Sequence, residues 1–237
     1  MSATRRAAFP VLLFAVPALV VTLLPVRAQA VTPDVPLGGG SGVVFGYRAV
    51  CTLTAIGHDR EGRLVGLTAG HCTEVGQPVH AEHATHAGVI GTVVARQLAD
   101  DWAVIEFDAA RVAPRREVAG TVITGIGGPP EPGDVVCKNG RTSGHSCGVV
   151  WDRHDWWFRN QVCSQPGDSG GPVTVGDRLV GMNVGHIRVD VLGVTVFDIA
   201  CQHPAVSVHD PAVATHIGRV LDAVDRTGGV GAGFRPL

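Results

Sequence analysis

The sequence predicts an all-β protein, and three observations predict it. Glycine, valine and alanine are abundant and aromatic residues make up only 5% of the chain, a composition that suits many short strands joined by turns. Short apolar runs bounded by turn residues fall into two blocks, about a dozen strands in all. Between the blocks no stretch carries a helical period, and the one amphipathic helix pattern comes near the C-terminus.

The 237 residues begin with a targeting segment. Arg5 and Arg6 give a positive start, residues 7–24 are apolar, and Ala28-Gln29-Ala30 reads as a small-residue cleavage site. An uncleaved membrane anchor is the competing reading, but Pro10, Pro17 and Pro25 would disrupt its helix. Residues 1–30 are therefore expected to be removed as a signal peptide, leaving a soluble, secreted chain from about Val31. Residues 31–42 have no periodic pattern and are expected to form a loosely held lead.

The first block, residues 43–112, carries apolar runs at 43–47, 50–56, 63–69, 89–95 and 102–107, with a hairpin turn at 58–62. Arg63-Leu64-Val65-Gly66-Leu67-Thr68 alternates as a half-buried strand does. Residues 113–119 break the pattern and read as a linker. The second block, residues 120–210, carries runs at 120–126, 134–137, 144–151, 161–163, 172–175, 178–184, 191–198 and 205–209. Residues 211–225 read as a terminal helix, with Asp210 as N-cap, Pro211 near its start, and Val213, Ile217, Val220, Leu221 and Val224 on one face. Residues 226–237 read as a flexible tail.

The formal charge of −2, without a long charge run, points away from nucleic acid or another polyanion as partner. An even count of six cysteines in an exported chain implies disulfides, whose pairing the spacing leaves open; the paired Cys-x-x-Cys spacing of a zinc site is missing. His80, His83 and His86 recur at three-residue spacing. Pro78 and Gly88 argue against a helix there, and on a strand His83 faces away from the other two, so the stretch reads as a solvated loop and no metal site is expected.

The chemistry is concentrated in Gln165-Pro166-Gly167-Asp168-Ser169-Gly170-Gly171-Pro172. Glycines on both sides let the backbone turn tightly beside a bound acyl group, with the N–H groups of Gly167 and Ser169 free to meet a developing oxyanion. A serine hydroxyl needs a base, and Leu67-Thr68-Ala69-Gly70-His71-Cys72 supplies one. Asp101-Trp102-Ala103-Val104-Ile105 supplies an acid to orient it; Asp100 is the neighbouring alternative. Each stretch alone has a bland reading, as a turn, a structural histidine or a strand cap. Gly167-x-Ser169-x-Gly171 also fits the esterase nucleophile elbow, but that elbow must open a helix, and Gly170-Gly171-Pro172 followed by Val173 does not.

In their order and flanks the three motifs resemble the chymotrypsin-like serine proteases, over most of residues 43–225. Cys137-Lys138-Asn139-Gly140-Arg141-Thr142-Ser143-Gly144, Cys147-Gly148 and the spacing from Cys163 to Ser169 are similar to the bacterial streptogrisin and α-lytic-like enzymes. The resemblance implies two packed six-stranded antiparallel β-barrels with a C-terminal helix, and a cleft between them. It implies a triad of Ser169, His71 and Asp101, an oxyanion hole at Gly167 and Ser169, and the disulfides Cys51–Cys72, Cys137–Cys147 and Cys163–Cys201. By alignment Gln161 and Val162 floor the specificity pocket, and Asn183, Val184, Gly185 and His186 line its wall. Without a floor carboxylate, a neutral side chain before the scissile bond is expected, with an acidic one as the lesser alternative through His186. Asp168, internal in the family, calls for a cation; Lys138, the sole lysine, is expected to supply it, with Arg141 as runner-up.

Three departures stand out. The stretch between the cleavage site and the first strand is too short for the large pro-region of those relatives. Val184 stands where the family has a serine supporting the triad acid. Gly185-His186 replaces the usual pocket wall. The expected function is a secreted, monomeric serine endopeptidase acting on polypeptides without a cofactor or a membrane partner. A weak or inactive protease-like binding module at the cell surface is the alternative, favoured only by Val184.

Overall fold

The computed structural model describes residues 35–237 apart from 47, 48, 188 and 207; the expected signal peptide, residues 1–30, and the start of the lead lie outside them. The first block forms β1 (Gly42–Phe45), β2 (Ala49–Thr52), β3 (Ala55–His58), β4 (Leu64–Ala69), β5 (Pro78–Ala81), β6 (Gly91–Gln97) and β7 (Trp102–Phe107). They pair antiparallel in the order β3-β4-β7-β6-β5-β1-β2. Because β2 and β3 are halves of one run broken only at Leu53 and Thr54, the sheet curls back on itself as a barrel. Val43, Phe45, Leu53, Val79, Ile90, Val93, Ile105 and Phe107 fill its interior.

The second block forms β8 (Val135–Gly140), β9 (Gly144–Arg153), β10 (Trp157–Asn160), β11 (Pro172–Val175), β12 (Arg178–His186) and β13 (Ala212–His216). Each pairs antiparallel with the next around the ring β8-β9-β10-β13-β12-β11, and β11 pairs back to β8, which closes the second barrel. Phe158 fills much of its interior directly opposite Ala214, a large side chain set against a small one.

A third cluster joins the barrels. Val65, Leu67, Trp102 and Val104 of the first meet Leu179 and Met182 of the second and the buried face of α1 (Ile217–Thr227): Ile217, Val220, Ala223 and Val224. That contact explains why every residue of β4 is buried, where alternation predicts a half-buried strand. One face lines the first barrel and the other is covered by the second barrel and the helix.

The C-terminal region departs from the sequence reading. The expected helix at 211–225 is β13 followed by α1, because Ala212–His216 pairs with both β10 and β12 and closes the second barrel. Helical periodicity competes there with two full ladders, and the ladders win. Asp210 does not cap the helix; its carboxylate accepts from Ile199 N–H at 2.9 Å. The helix ends at Gly228, whose φ of 63° is the left-handed stop glycine permits. The expected flexible tail is packed: Arg235–Pro236 pairs with β3, Phe234 is buried, and Gly231 N–H donates to Asp59 Oδ2 at 3.1 Å.

The lead and linker also hold each other. Val35–Leu37 pairs in parallel with Val112–Pro114, burying Val35, Leu37 and Val112, and Glu117–Val118 pairs with Thr121–Val122. Among the described residues, neither 161–163 nor 205–209 forms a strand. Val162 N–H and Cys163 N–H donate to the side chains of Asn160 and Ser146 instead of to a ladder, and Val206 N–H turns back to His203 O. Among the described residues no helix is long and apolar enough to cross a membrane.

Candidate active site

His71 lies in the short 3-10 turn Gly70–Cys72 that ends β4. Gly70 lets this turn press on the start of β7: its N–H donates to Asp101 O at 2.9 Å, and a Cβ there would stand 2.7 Å from Gln97 O. The backbone N–H of His71 donates to Asp101 Oδ1 at 2.7 Å, and Nδ1 lies 2.7 Å from Oδ2. Asp101 adopts a φ of 52°, a left-handed conformation that costs a non-glycine residue energy and that Asp tolerates better than most. The carboxylate hydrogen bond raises the His71 pKa above its ordinary 6.5, against burial and the nearby Arg96, which pull it down. Asp100 turns away, and Arg219 Nε on α1 donates to its Oδ1 at 2.7 Å.

Ser169 is held between the barrels. Thr52 N–H on β2 donates to Ser169 O at 2.8 Å, and Thr54 Oγ1 donates to Gly170 O at 2.6 Å. From the other side Gly170 N–H donates to Asn183 O on β12 at 2.7 Å. Gly170, at φ +85°, fits only because it lacks a Cβ, which would lie 2.2 Å from Thr52 O. Among the described residues the N–H groups of Gly167 and Ser169 have no acceptor. Ser169 Oγ donates at a long 3.4 Å to Val184 O, and no bond joins it to His71. Val184 brings no hydroxyl to Asp101; its side chain is half-buried against the inter-barrel cluster.

Asp168 and Lys138 are both fully buried, with Lys138 Nζ donating to Asp168 Oδ2 at 2.8 Å. The carboxylate accepts four further bonds: Oδ1 from the N–H groups of Thr142 and Ser143 at 2.8 and 3.0 Å, Oδ2 from Gln165 N–H at 3.0 Å and from Ser143 Oγ. Burial alone pushes the Asp168 pKa up, but Lys138 and these donors hold it below the ordinary 3.8. Arg141 does not reach Asp168 with a hydrogen bond; its guanidinium forks onto Glu82 of the first barrel, with Nε donating to Oε2 at 2.8 Å.

The residues aligned to the specificity pocket are only partly gathered. Asn183 is buried under the Ser169 turn, its Nδ2 donating to Ser164 Oγ at 2.9 Å and Asp168 O at 3.2 Å. Val162 is buried in the barrel, and Gln161 Nε2 donates to His209 O at 2.9 Å. Gly185 is half-buried, while His186 is exposed at the end of β12. Beside His71 opens a cleft of about 740 Å³ lined by Phe45, Ala49, Thr73, Gln77 and Arg96.

Disulfides join Cys51 to Cys72, Cys137 to Cys147 and Cys163 to Cys201. The first ties β2 to the His71 turn, and the third pins the segment before Ser169. Cys51 and Cys72 beside His71, and Cys137 and Cys147 beside His145, make clusters of metal-ligating atoms, but their sulfurs are consumed in these bonds. The ring nitrogens of His80, His83 and His86 do not converge. Sequence reasoning missed Thr52 and Thr54, which dock the serine turn, and Glu82. Ser143 and Thr142 stood inside a quoted motif; Glu82 carried no signal, because its partner is 59 residues away.

No protein-family model matches the chain. Two relatives by sequence are the uncharacterized protein Rv1815 of Mycobacterium tuberculosis, 30% identical over 143 residues, and Serine protease 2 of Streptomyces fradiae, 27% identical over 165 residues. The second match covers 63% of this chain and 94% of the Streptomyces protein; the first covers 52% of this chain and only 60% of the mycobacterial one. Among solved structures, Thermobifida fusca Protease A superposes with a TM-score of 0.61 at 21% identity, over 80% of this chain and 96% of its own. A glutamic-acid-specific serine protease that uses a histidine triad in substrate binding gives 0.62 at 20% identity, over 79% and 97%. With its two antiparallel barrels, its C-terminal helix and these likenesses, the chain has the chymotrypsin fold as bacterial serine proteases build it.

Proposed function

We propose that this chain is an exported serine endopeptidase. Ser169 Oγ attacks the peptide carbonyl carbon, and its proton passes to His71 Nε2. The carbonyl oxygen, now negative, lies between the N–H groups of Gly167 and Ser169. His71 then gives the proton to the leaving amine, and water releases the acyl group from Ser169 by the same steps in reverse roles. Asp101 holds the Nδ1–H tautomer of His71 and stabilises its cation. A rotation about the Ser169 side chain brings Oγ from Val184 O toward His71, in keeping with the loose catalytic hydrogen bonds of substrate-free enzymes.

The observation that carries the reading is the pair of hydrogen bonds from His71 to Asp101, through backbone N–H and Nδ1, with Ser169 docked on β2, which the Cys51–Cys72 disulfide ties to the His71 turn. The three disulfides support an extracellular setting, and the apolar start of the chain supports export. With no carboxylate among the residues aligned to the pocket floor, Gln161 and Val162, a neutral side chain before the scissile bond is the reading of specificity. A fluorophosphonate probe tests the activity: it should label Ser169 in the wild type and leave the His71→Ala variant unlabelled. No labelling of correctly folded wild-type protein would remove the enzyme reading in favour of a binding module.

The pH profile follows from the raised His71 pKa. Neutral imidazole is the base, so kcat/KM should fall as pH drops, with a midpoint above 6.5 in the free protein. A rate that stays flat through mild acid would exclude His71 as the base.

A further inference from the structure

In the serine-protease reading above, on which this inference rests, the peptide joining Pro166 to Gly167 supplies one of the two oxyanion N–H groups. That peptide is the centre of a β-turn over Gln165-Pro166-Gly167-Asp168, closed by Asp168 N–H donating to Gln165 O at 2.9 Å. Gly167, at φ +98°, makes it type II. Type I and type II turns differ by a flip of the central peptide, and both accept Pro second and Gly third. The local sequence therefore permits both orientations, and only one presents the Gly167 N–H at the site.

The choice is made by contacts that run to the first barrel. Pro166 O accepts from Thr142 Oγ1 at 2.8 Å. Because the peptide is planar and trans, fixing that carbonyl fixes the opposed Gly167 N–H. Thr142 Oγ1 accepts from Arg141 Nη1 at 3.0 Å, which leaves its own proton for Pro166 O. The guanidinium is in turn forked onto Glu82, directly after β5, and the two side chains are only 26% and 16% exposed. Thr52 Oγ1 adds a second link, accepting Arg141 N–H at 3.1 Å and donating to Gly167 O at 2.9 Å. A Cβ on Gly167 would lie 2.5 Å from Thr142 Oγ1 and 3.0 Å from Arg141 Nη1, so the turn packs directly on these groups.

We propose that Glu82, Arg141 and Thr142 form a positioning relay that locks the 166–167 peptide in its type II orientation, so that the first barrel sets the oxyanion site on the second. The relay does not touch substrate; it acts through Gly167. Thr142→Val keeps the side-chain shape and removes the hydroxyl, and Thr142→Ser restores it. In the full-length secreted protein, Thr142→Val should lower kcat on a neutral peptide ester about 100-fold, the loss expected for one oxyanion donor, with KM changed less than about threefold. Thr142→Ser should return to within about threefold of wild type, and Glu82→Gln, which weakens the fork without removing the hydroxyl, should lose about tenfold.

A crystal structure of Thr142→Val supplies a readout independent of turnover: the turn should be type I, with Gly167 at negative φ. Retention of the type II turn, or wild-type kcat in Thr142→Val, would overturn the relay. If wild-type protein fails to react with the fluorophosphonate, the protease reading falls, while the turn type in Thr142→Val still decides whether these residues set the peptide.

Discussion

Replacing Asp101 by Asn should lower kcat/KM about 10⁴-fold while leaving the fold in place. The geometry explains the size of the effect. Asp101 Oδ1 accepts the backbone N–H of His71, so in Asp101→Asn the one remaining oxygen must stay there. The amide nitrogen then takes the place of Oδ2, 2.7 Å from Nδ1, and presents a donor where an acceptor stood. His71 responds by placing its proton on Nε2, and the ring then faces Ser169 as a donor rather than a base. The raised His71 pKa should fall at the same time, because its first cause is the bond to Asp101. Steady-state kinetics together with a thermal melt check both halves. Activity within tenfold of wild type, in a folded variant, would remove Asp101 from the proposed triad.

Lys138→Met should cost about 3–5 kcal/mol of stability, the penalty of leaving a buried charge without its partner. Asp168 keeps four other donors, but none carries a charge. The penalty should depend on pH. In the wild type the folded Asp168 pKa is depressed, so its contribution is fully present above the ordinary 3.8 and is lost as pH falls through the folded value. Without Lys138, burial dominates and the carboxyl protonates more easily. The stability gap between wild type and variant should therefore narrow in acid. Urea unfolding with the disulfides intact measures this, and equal stability at neutral pH would show that Lys138 is dispensable. Arg141→Met, by contrast, should leave the buried pair intact, because that guanidinium belongs to Glu82.

Most strands of both barrels were legible because β-branched and apolar runs between glycine-bearing turns have few other ways to bury themselves; β5 and β10 were not, because Pro78–Ala81 and Trp157–Asn160 carry no apolar run of their own. What periodicity misread were segments with two plausible partners. Residues 212–216 carry a helical spacing yet lie between two strands that would each lose a pairing partner without them. Val35–Leu37 and Val112–Pro114 look like lead and linker because each is too short to form a strand alone; they do so only together. The packed tail follows the same logic, since Phe234 has no sequence partner and finds its place against the inter-barrel cluster.

The site divides along the same line. The types and order of Ser169, His71, Asp101 and Asp168 were written in short motifs, because the proposed nucleophile, base and internal acid each need particular neighbours within a few residues. The resemblance already favoured Asp101 over Asp100 and Lys138 over Arg141; the contacts of Asp101 with His71 and of Lys138 with Asp168, and the supports Thr52, Thr142 and Glu82, belong to the tertiary structure. Asp100 and Asp101 carry the same charge one residue apart, and only the left-handed turn at Asp101 sends its carboxylate to His71 and its neighbour's to Arg219. Lys138 and Arg141 lie in one disulfide-closed segment, and the burial of one and the forked pairing of the other assign their partners. A sequence sets which groups are present and how local turns run; the packing of two barrels against each other sets which of them meet.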